Sequence, residues 1–166
     1  MAKTTFRGDP VETVGALPAP GTKAPDFTLV KGDLSEMSLA EAKGKQVVLN
    51  VFLSLDTSTC AASVRRFNEE AAKRRDTVVL CISMDLPFAA ARFCAAEGLE
   101  NVITLSDFRE GAFGRAYGLR ITGGPFTGLL ARSVFVLDRE GKVVHAQLVP
   151  DISKEPDYEA ALAALL

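Results

Sequence analysis

The run "QVVLNVFLSL" at residues 46–55 constrains this chain more than any other segment. It is apolar and partly β-branched at nearly every position, the pattern of a central strand covered on both faces. Such a strand needs helices packed above and below it. The next residues supply one. In "DTSTC", Thr57, Ser58 and Thr59 are good helix N-caps, and an amphipathic pattern continues from Thr59 to Arg75. The alternation then repeats. "TVVLCIS" reads as a strand. "PFAAARFCAAEG" reads as a helix opened by Pro87 and closed by Gly98, and "VITLS" as a strand. "EGAFGRAYG" gives a short helix. "RSVFVLDREGKVVHAQLV" gives a hairpin around Asp138 to Gly141, and "EPDYEAALAALL" a closing helix. Upstream, "DFTLV" is a short strand. Residues 1–24 form a hairpin with Gly8-Asp9-Pro10 as its turn, then the extended connector "LPAPGTKAP". The expectation is an α/β fold: one domain over 1–166, with a mixed central sheet flanked by helices and an N-terminal β-hairpin.

Charge and composition narrow the function. A net charge of −2 argues against a nucleic-acid partner, which would call for a basic face. No uncharged apolar stretch approaches the ~18 residues of a membrane span, and "MAKTTFRGDPVE" lacks the apolar core of a secretory signal. Neither a membrane nor export is expected, and the setting expected is cytoplasmic. Three widely spaced cysteines do not resemble a secreted disulfide framework; they point to reactive or buried thiols.

Cys60 falls in the first turn of the predicted helix. At about 100° per residue it shares a face with Val64, Phe67 and Ala71, which places the thiol along the packed side at the edge of the core. A free thiol with pKa ~8.5 is only a few per cent ionised near neutrality. A helix end favours an anion by only about 0.3–1 kcal/mol, and burial opposes ionisation. A cation is therefore needed for a strong nucleophile. Arg65 and Arg66 point away by helical phase. Arg132 in "GLLARSVFVLD" is the better candidate: either it ends an apolar strand in solvent, or it is drawn inward by an anion. Cys81 lies mid-strand among apolar residues and reads as inert packing. Cys94, one turn before Gly98, reads as buried or half-exposed.

Other chemistries find less support. The gaps between cysteines lack the close ligand pairs of common zinc sites. His145, the only histidine, shares by alternation a polar face with Val143 and Gln147, away from a Cys–His dyad. "ITGGPFTG" lacks the Lys-Ser/Thr and following helix of a phosphate loop. "CAAS" lacks the second thiol of a CxxC motif. No metal or cofactor is expected.

The segments "SLDTSTCAASVRRFN", "TVVLCISMDLPFAAARFCAAEGLENVITLS", "AYGL", "GLLARSVFVLD" and "EPDYEAALAAL" together resemble the thiol peroxidases of the Tpx type, atypical two-cysteine peroxiredoxins with a thioredoxin-like fold. The resemblance spans nearly the whole chain. It implies that Cys60 is the peroxidatic cysteine, attacking a peroxide to become a sulfenic acid. It implies that Cys94 is the resolving cysteine, closing an intrasubunit disulfide. Thr57 would hydrogen-bond the peroxide and the thiolate, and Arg132 would support the thiolate and polarise the substrate. A thioredoxin-type reductant and a homodimer are implied as partners. One position departs. The family pattern is Pro-x-x-x-Thr/Ser-x-x-Cys, and Leu53 stands where the proline should be. The expected consequence is reduced but not abolished peroxidase activity. Two rival readings are a monothiol disulfide-exchange protein using "CAAS" and a non-enzymatic binding or chaperone module.

Overall fold

The protein is described over residues 1–166 as a computed structural model. Its axis is β5 (Gln46–Val51), all six of whose residues are buried. Parallel to it lies β6 (Thr77–Ser83), and parallel to β6 lies β7 (Ile103–Ser106). On the other side of β5, β8 (Ser133–Leu137) runs antiparallel and pairs with β9 (Val143–Leu148). The far edge is an antiparallel pair, β3 (Thr28–Lys31) and β4 (Glu36–Ser38), with β3 joined to β7. The order β4-β3-β7-β6-β5-β8-β9 is a seven-stranded sheet, mixed as the strand patterns predict, though they predict neither β4 nor the order.

Alternation along the central strands sends side chains to two separate cores. Val47, Leu49, Leu80, Ile82, Phe135 and Leu137 pack on one face with Phe113 and Tyr117, around helix α3 (Ala112–Ala116). Val48, Val79, Cys81, Val134 and Val136 pack on the other. That second face is covered by α1 (Ser58–Ala72), α2 (Pro87–Glu97) and α4 (Tyr158–Ala163), which contribute Cys60, Val64, Phe67, Ala90 and Ala161. Each large side chain fully buried this way stabilises the fold by about 1.5–3 kcal/mol. Helix α2 starts with Pro at its first position and ends on Gly98 in the left-handed conformation at φ 64°, where glycine carries no Cβ clash.

Four local details differ from expectation. The N-terminal hairpin, β1 (Lys3–Phe6) and β2 (Asp9–Glu12), turns on Arg7 and Gly8, not on Gly8-Asp9-Pro10. Both turn residues have positive φ, 50° and 91°, as a two-residue type I′ connection requires. Strand β4 and the 3₁₀ turn Leu39–Ala42 went unpredicted, although "SLAE" carries their signal: the Ser38 N–H donates to the Glu41 carboxylate at 2.7 Å. A register shift between Val136 and Leu137 breaks the alternation of β9. Val143 therefore enters the first core, and only Gln147 shares a face with His145. Finally, β5 stops at Val51. The Phe52 N–H makes one more ladder bond, to the Ile82 carbonyl at 3.1 Å, before the chain turns toward α1 with Phe52, Leu53 and Leu55 still buried. No helix is long and apolar enough to cross a membrane.

Candidate active site

Cys60 enters the structure through a capped helix. Thr57 is the N-cap of α1, with extended backbone at φ −102° and ψ 143°. Its hydroxyl oxygen accepts the Cys60 N–H at 3.4 Å, and its own O–H donates to the Ser54 carbonyl at 3.0 Å. This satisfies one of the free N–H groups at a helix start. One turn on, the buried Ser63 hydroxyl donates to the Cys60 carbonyl at 2.8 Å, and Asn50 of β5 donates to Ser63 from beneath at 3.2 Å. The fourth residue of "CAAS" thus serves as a buried back-bonding serine.

The thiol itself is not at the edge of the core but inside it, with 0% of Cys60 exposed. It packs in the apolar cluster with Val64 and Phe67 and against Arg132. Only 1% exposed, Arg132 lies just ahead of β8 with its guanidinium against the helix start. Nη2 donates to the Cys60 sulfur at 3.1 Å, and Nε donates to the Ile152 carbonyl at 3.0 Å. Nη1 is buried and has no partner. An arginine is almost never buried unless its charge and donors are met, and the anion-capable sulfur beside it supplies that compensation. Residue 132 therefore takes the inward position, not the solvent-exposed one. The loop holding Ile152 is tied to α1 as well: the Thr59 hydroxyl donates to the Ser153 carbonyl at 3.2 Å. Asp151 secures this loop. The Ser153 hydroxyl and amide hydrogen-bond its carboxyl and hold it down to about 2.

Arg65 and Arg66 do face away. Arg65 forms a 2.6 Å ion pair with Glu97, and Arg66 lies over the Tyr158 ring at 5.1 Å. The Arg65–Glu97 pair ties α1 to the last turn of α2, where half-exposed Cys94 sits. Asn68 of α1 adds a second tie, accepting the Asn101 N–H at 2.8 Å. All three cysteines are free thiols. Burial pushes the Cys94 thiol up, and a hydrogen bond with the Thr104 side chain offsets part of that rise. Cys81 is far more strongly affected: complete burial in mid-sheet pushes it up to about 12. His145 of β9 pairs with Val136 of β8, and burial pulls its imidazole below the usual value.

The structure thus gathers Thr57, Cys60 and Arg132 into one cluster and sets Cys94 on the adjoining helix. Sequence reasoning missed Ser54, Ser63, Asn50 and the Ile152 carbonyl. Only Ser63 carried a local signal, at i+3 from Cys60. A cavity of about 210 Å³ lined by Leu39, Lys43, Val47 and Arg139 includes none of these residues.

The family model described as Redoxin matches residues 19–162. The thiol peroxidases of Corynebacterium glutamicum and Mycobacterium tuberculosis are each 54% identical to this chain over 165 residues, covering 99% of both sequences. Among solved structures, a peroxiredoxin-like protein from Aquifex aeolicus superposes with a TM-score of 0.92 at 39% identity, covering 99% of this chain and 96% of its own. A thiol peroxidase from Chromobacterium violaceum has the same fold, with a TM-score of 0.89 at 21% identity over 97% of this chain and 93% of that one. The chain belongs to the redoxin family, within its thiol peroxidase branch.

Proposed function

We propose that this protein is a thiol peroxidase that reduces hydrogen peroxide and organic hydroperoxides, its 166 residues forming a single peroxiredoxin domain. Cys60 acts as the peroxidatic nucleophile. Its thiolate attacks one peroxide oxygen, the O–O bond breaks, and the other oxygen leaves as an alcohol or water after taking a proton. Cys60 becomes a sulfenic acid. The Cys94 thiol then attacks that sulfur, the S–O bond breaks, water leaves, and a Cys60–Cys94 disulfide remains. A thioredoxin-type dithiol returns the protein to its reduced form by exchange. Resolution protects the sulfenic acid from further, irreversible oxidation.

The observation that carries this reading is the Arg132 guanidinium. One nitrogen lies 3.1 Å from the Cys60 sulfur, and another is buried without a partner. The first favours a sulfur anion. The second is a donor ready for a peroxide oxygen, where charge develops as the O–O bond breaks. Thr57, beside Cys60, supplies a hydroxyl that can turn from the Ser54 carbonyl toward substrate. The disulfide requires the two Cα atoms to approach within about 7 Å. With each cysteine inside a formed helix, one or both helix ends unwind during turnover. A homodimer in the cytoplasm, working without membrane or nucleic acid, completes the reading. The direct test is peroxide consumption with a thioredoxin-type reductant. Cys60→Ser should abolish it, and a Cys60→Ser protein that still consumed peroxide at the parent rate would overturn the assignment.

A further inference from the structure

We propose that Asp85 is a positioning residue for the Cys60 loop, an inference that rests on the peroxidase reading above. Asp85 lies between the end of β6 and the start of α2. Its carboxylate reaches across to the loop that leaves β5. Oδ1 accepts the Ser54 hydroxyl at 2.7 Å, and Oδ2 accepts the Leu55 N–H at 2.8 Å. Asp85 is itself held firmly. Oδ2 also accepts the Ser83 hydroxyl at 2.8 Å, the Asp85 N–H donates to Ser83 at 3.2 Å, and its carbonyl accepts the Ser106 hydroxyl at 2.5 Å.

From there one continuous path leads to the nucleophile. The Ser54 hydroxyl donates to Asp85, so its proton points that way. The Ser54 oxygen is then free to accept the Asp56 N–H at 3.1 Å. The Ser54 carbonyl accepts both the Thr57 N–H at 3.2 Å and the Thr57 hydroxyl at 3.0 Å. Thr57 accepts the Cys60 N–H at 3.4 Å. Residues 52–57 belong to no strand or helix, so these bonds set where Thr57 stands. The Arg92–Asp56 pair also spans the two loops, at 3.7 Å, but both of its side chains are about 70% exposed, and such pairs fix little. Asp85 is thus the fixed point from which the Thr57 hydroxyl is aimed.

The test compares two reactions of Cys60: oxidation by hydrogen peroxide, and alkylation by iodoacetamide, which presents no peroxide for Thr57 to hold. In Asp85→Ala the peroxide rate constant should fall about 10- to 100-fold, the scale of an ångström-sized misplacement, while alkylation falls much less. Asp85→Asn keeps an acceptor for Ser54 but turns an amide N–H₂ toward the Leu55 N–H, so it should fall between. Ser54→Ala should also lower the peroxide rate selectively, and adding it to Asp85→Ala should cost little more, because both changes cut one path. If Asp85→Ala does not fold, Asp85→Asn and Ser54→Ala carry the same test. Peroxide rates at the parent level in folded Asp85 and Ser54 variants would overturn the proposal. So would a change in the alkylation rate as large as the peroxide loss, with additive double-variant effects, the mark of general loosening around a buried thiol. A parent protein whose Cys60 does not react with peroxide at all would instead overturn the peroxidase reading itself.

Discussion

Leu53 occupies the position where the thiol peroxidase pattern has proline, and replacing it by proline has a computable outcome. Leu53 is 5% exposed and belongs to the same apolar cluster as Cys60. Its N–H has no hydrogen-bond partner in the protein, so proline removes no bond. The preceding residue, Phe52, extends the ladder of β5, and an extended residue is what a following proline requires. Two terms then compete. Proline has one carbon fewer than leucine, which costs about 1–1.5 kcal/mol in lost burial and residual space. Restricting the unfolded chain returns about 0.4–1 kcal/mol. The net loss is ~0–1 kcal/mol, or at most about 4 °C in Tm for a domain of this size. A proline forced into an unsuitable site costs about 3 kcal/mol, roughly 6–12 °C. Thermal unfolding separates these cases, and peroxide turnover on the same samples should rise. A Tm drop of the larger size would refute the reasoning about the backbone. Unchanged turnover at unchanged stability would refute the idea that Leu53 limits the site.

Three further outcomes follow from the same geometry. Arg132→Lys keeps a charge but cannot span the Ile152 carbonyl and the Cys60 sulfur with one planar fork; stopped-flow oxidation of Cys60 should slow by about 100-fold, and a parent-like rate would contradict the role given to the guanidinium. With its thiol at about 12, Cys81 has a thiolate fraction of about 10⁻⁴ at pH 8, against roughly a quarter for a free thiol; iodoacetamide mapping of the native protein should leave it unlabelled, and labelling comparable to a free thiol would show that the sheet opens there. Asp151 is held down to about 2 in the fold against ~3.9 when unfolded. Its contribution to stability is therefore fully present above about pH 4 and is lost as pH falls toward 2. Asp151→Asn should flatten the stability–pH curve in that window, and an unchanged slope would argue that the Ser153 bonds do not persist in solution.

The elements most legible in the sequence are those whose signal is local. The pattern of strand β6 and helix α2 has the ends the structure gives them, because "TVVLCIS" starts after Asp76 and closes on Ser83, and Pro87 and Gly98 punctuate the helix. The face of α1 bearing Cys60, Val64 and Phe67 followed from helical phase alone. What depends on distant parts of the chain was not legible in this way. Arg132 meets Cys60 across 72 residues of sequence and Asp85 meets Ser54 across 31, so spacing left Arg132 open and passed over Asp85. The register shift beside Leu137 reassigns Val143 by one residue, a change that alternation cannot foresee. The run from Gln46 to Leu55 is buried at every position but half-buried Ser54, yet only its first six residues form β5. Apolarity marks burial, whereas the strand ends where the hydrogen-bonded partners do.

The central claim is that Cys60 reacts with peroxide and Cys94 resolves it while Cys81 stays inert. Peptide mapping of the reduced protein after one equivalent of hydrogen peroxide tests all three parts together. The account predicts a Cys60–Cys94 disulfide with Cys81 recovered as a free thiol. A disulfide that includes Cys81, or a Cys60 left unmodified, would contradict it.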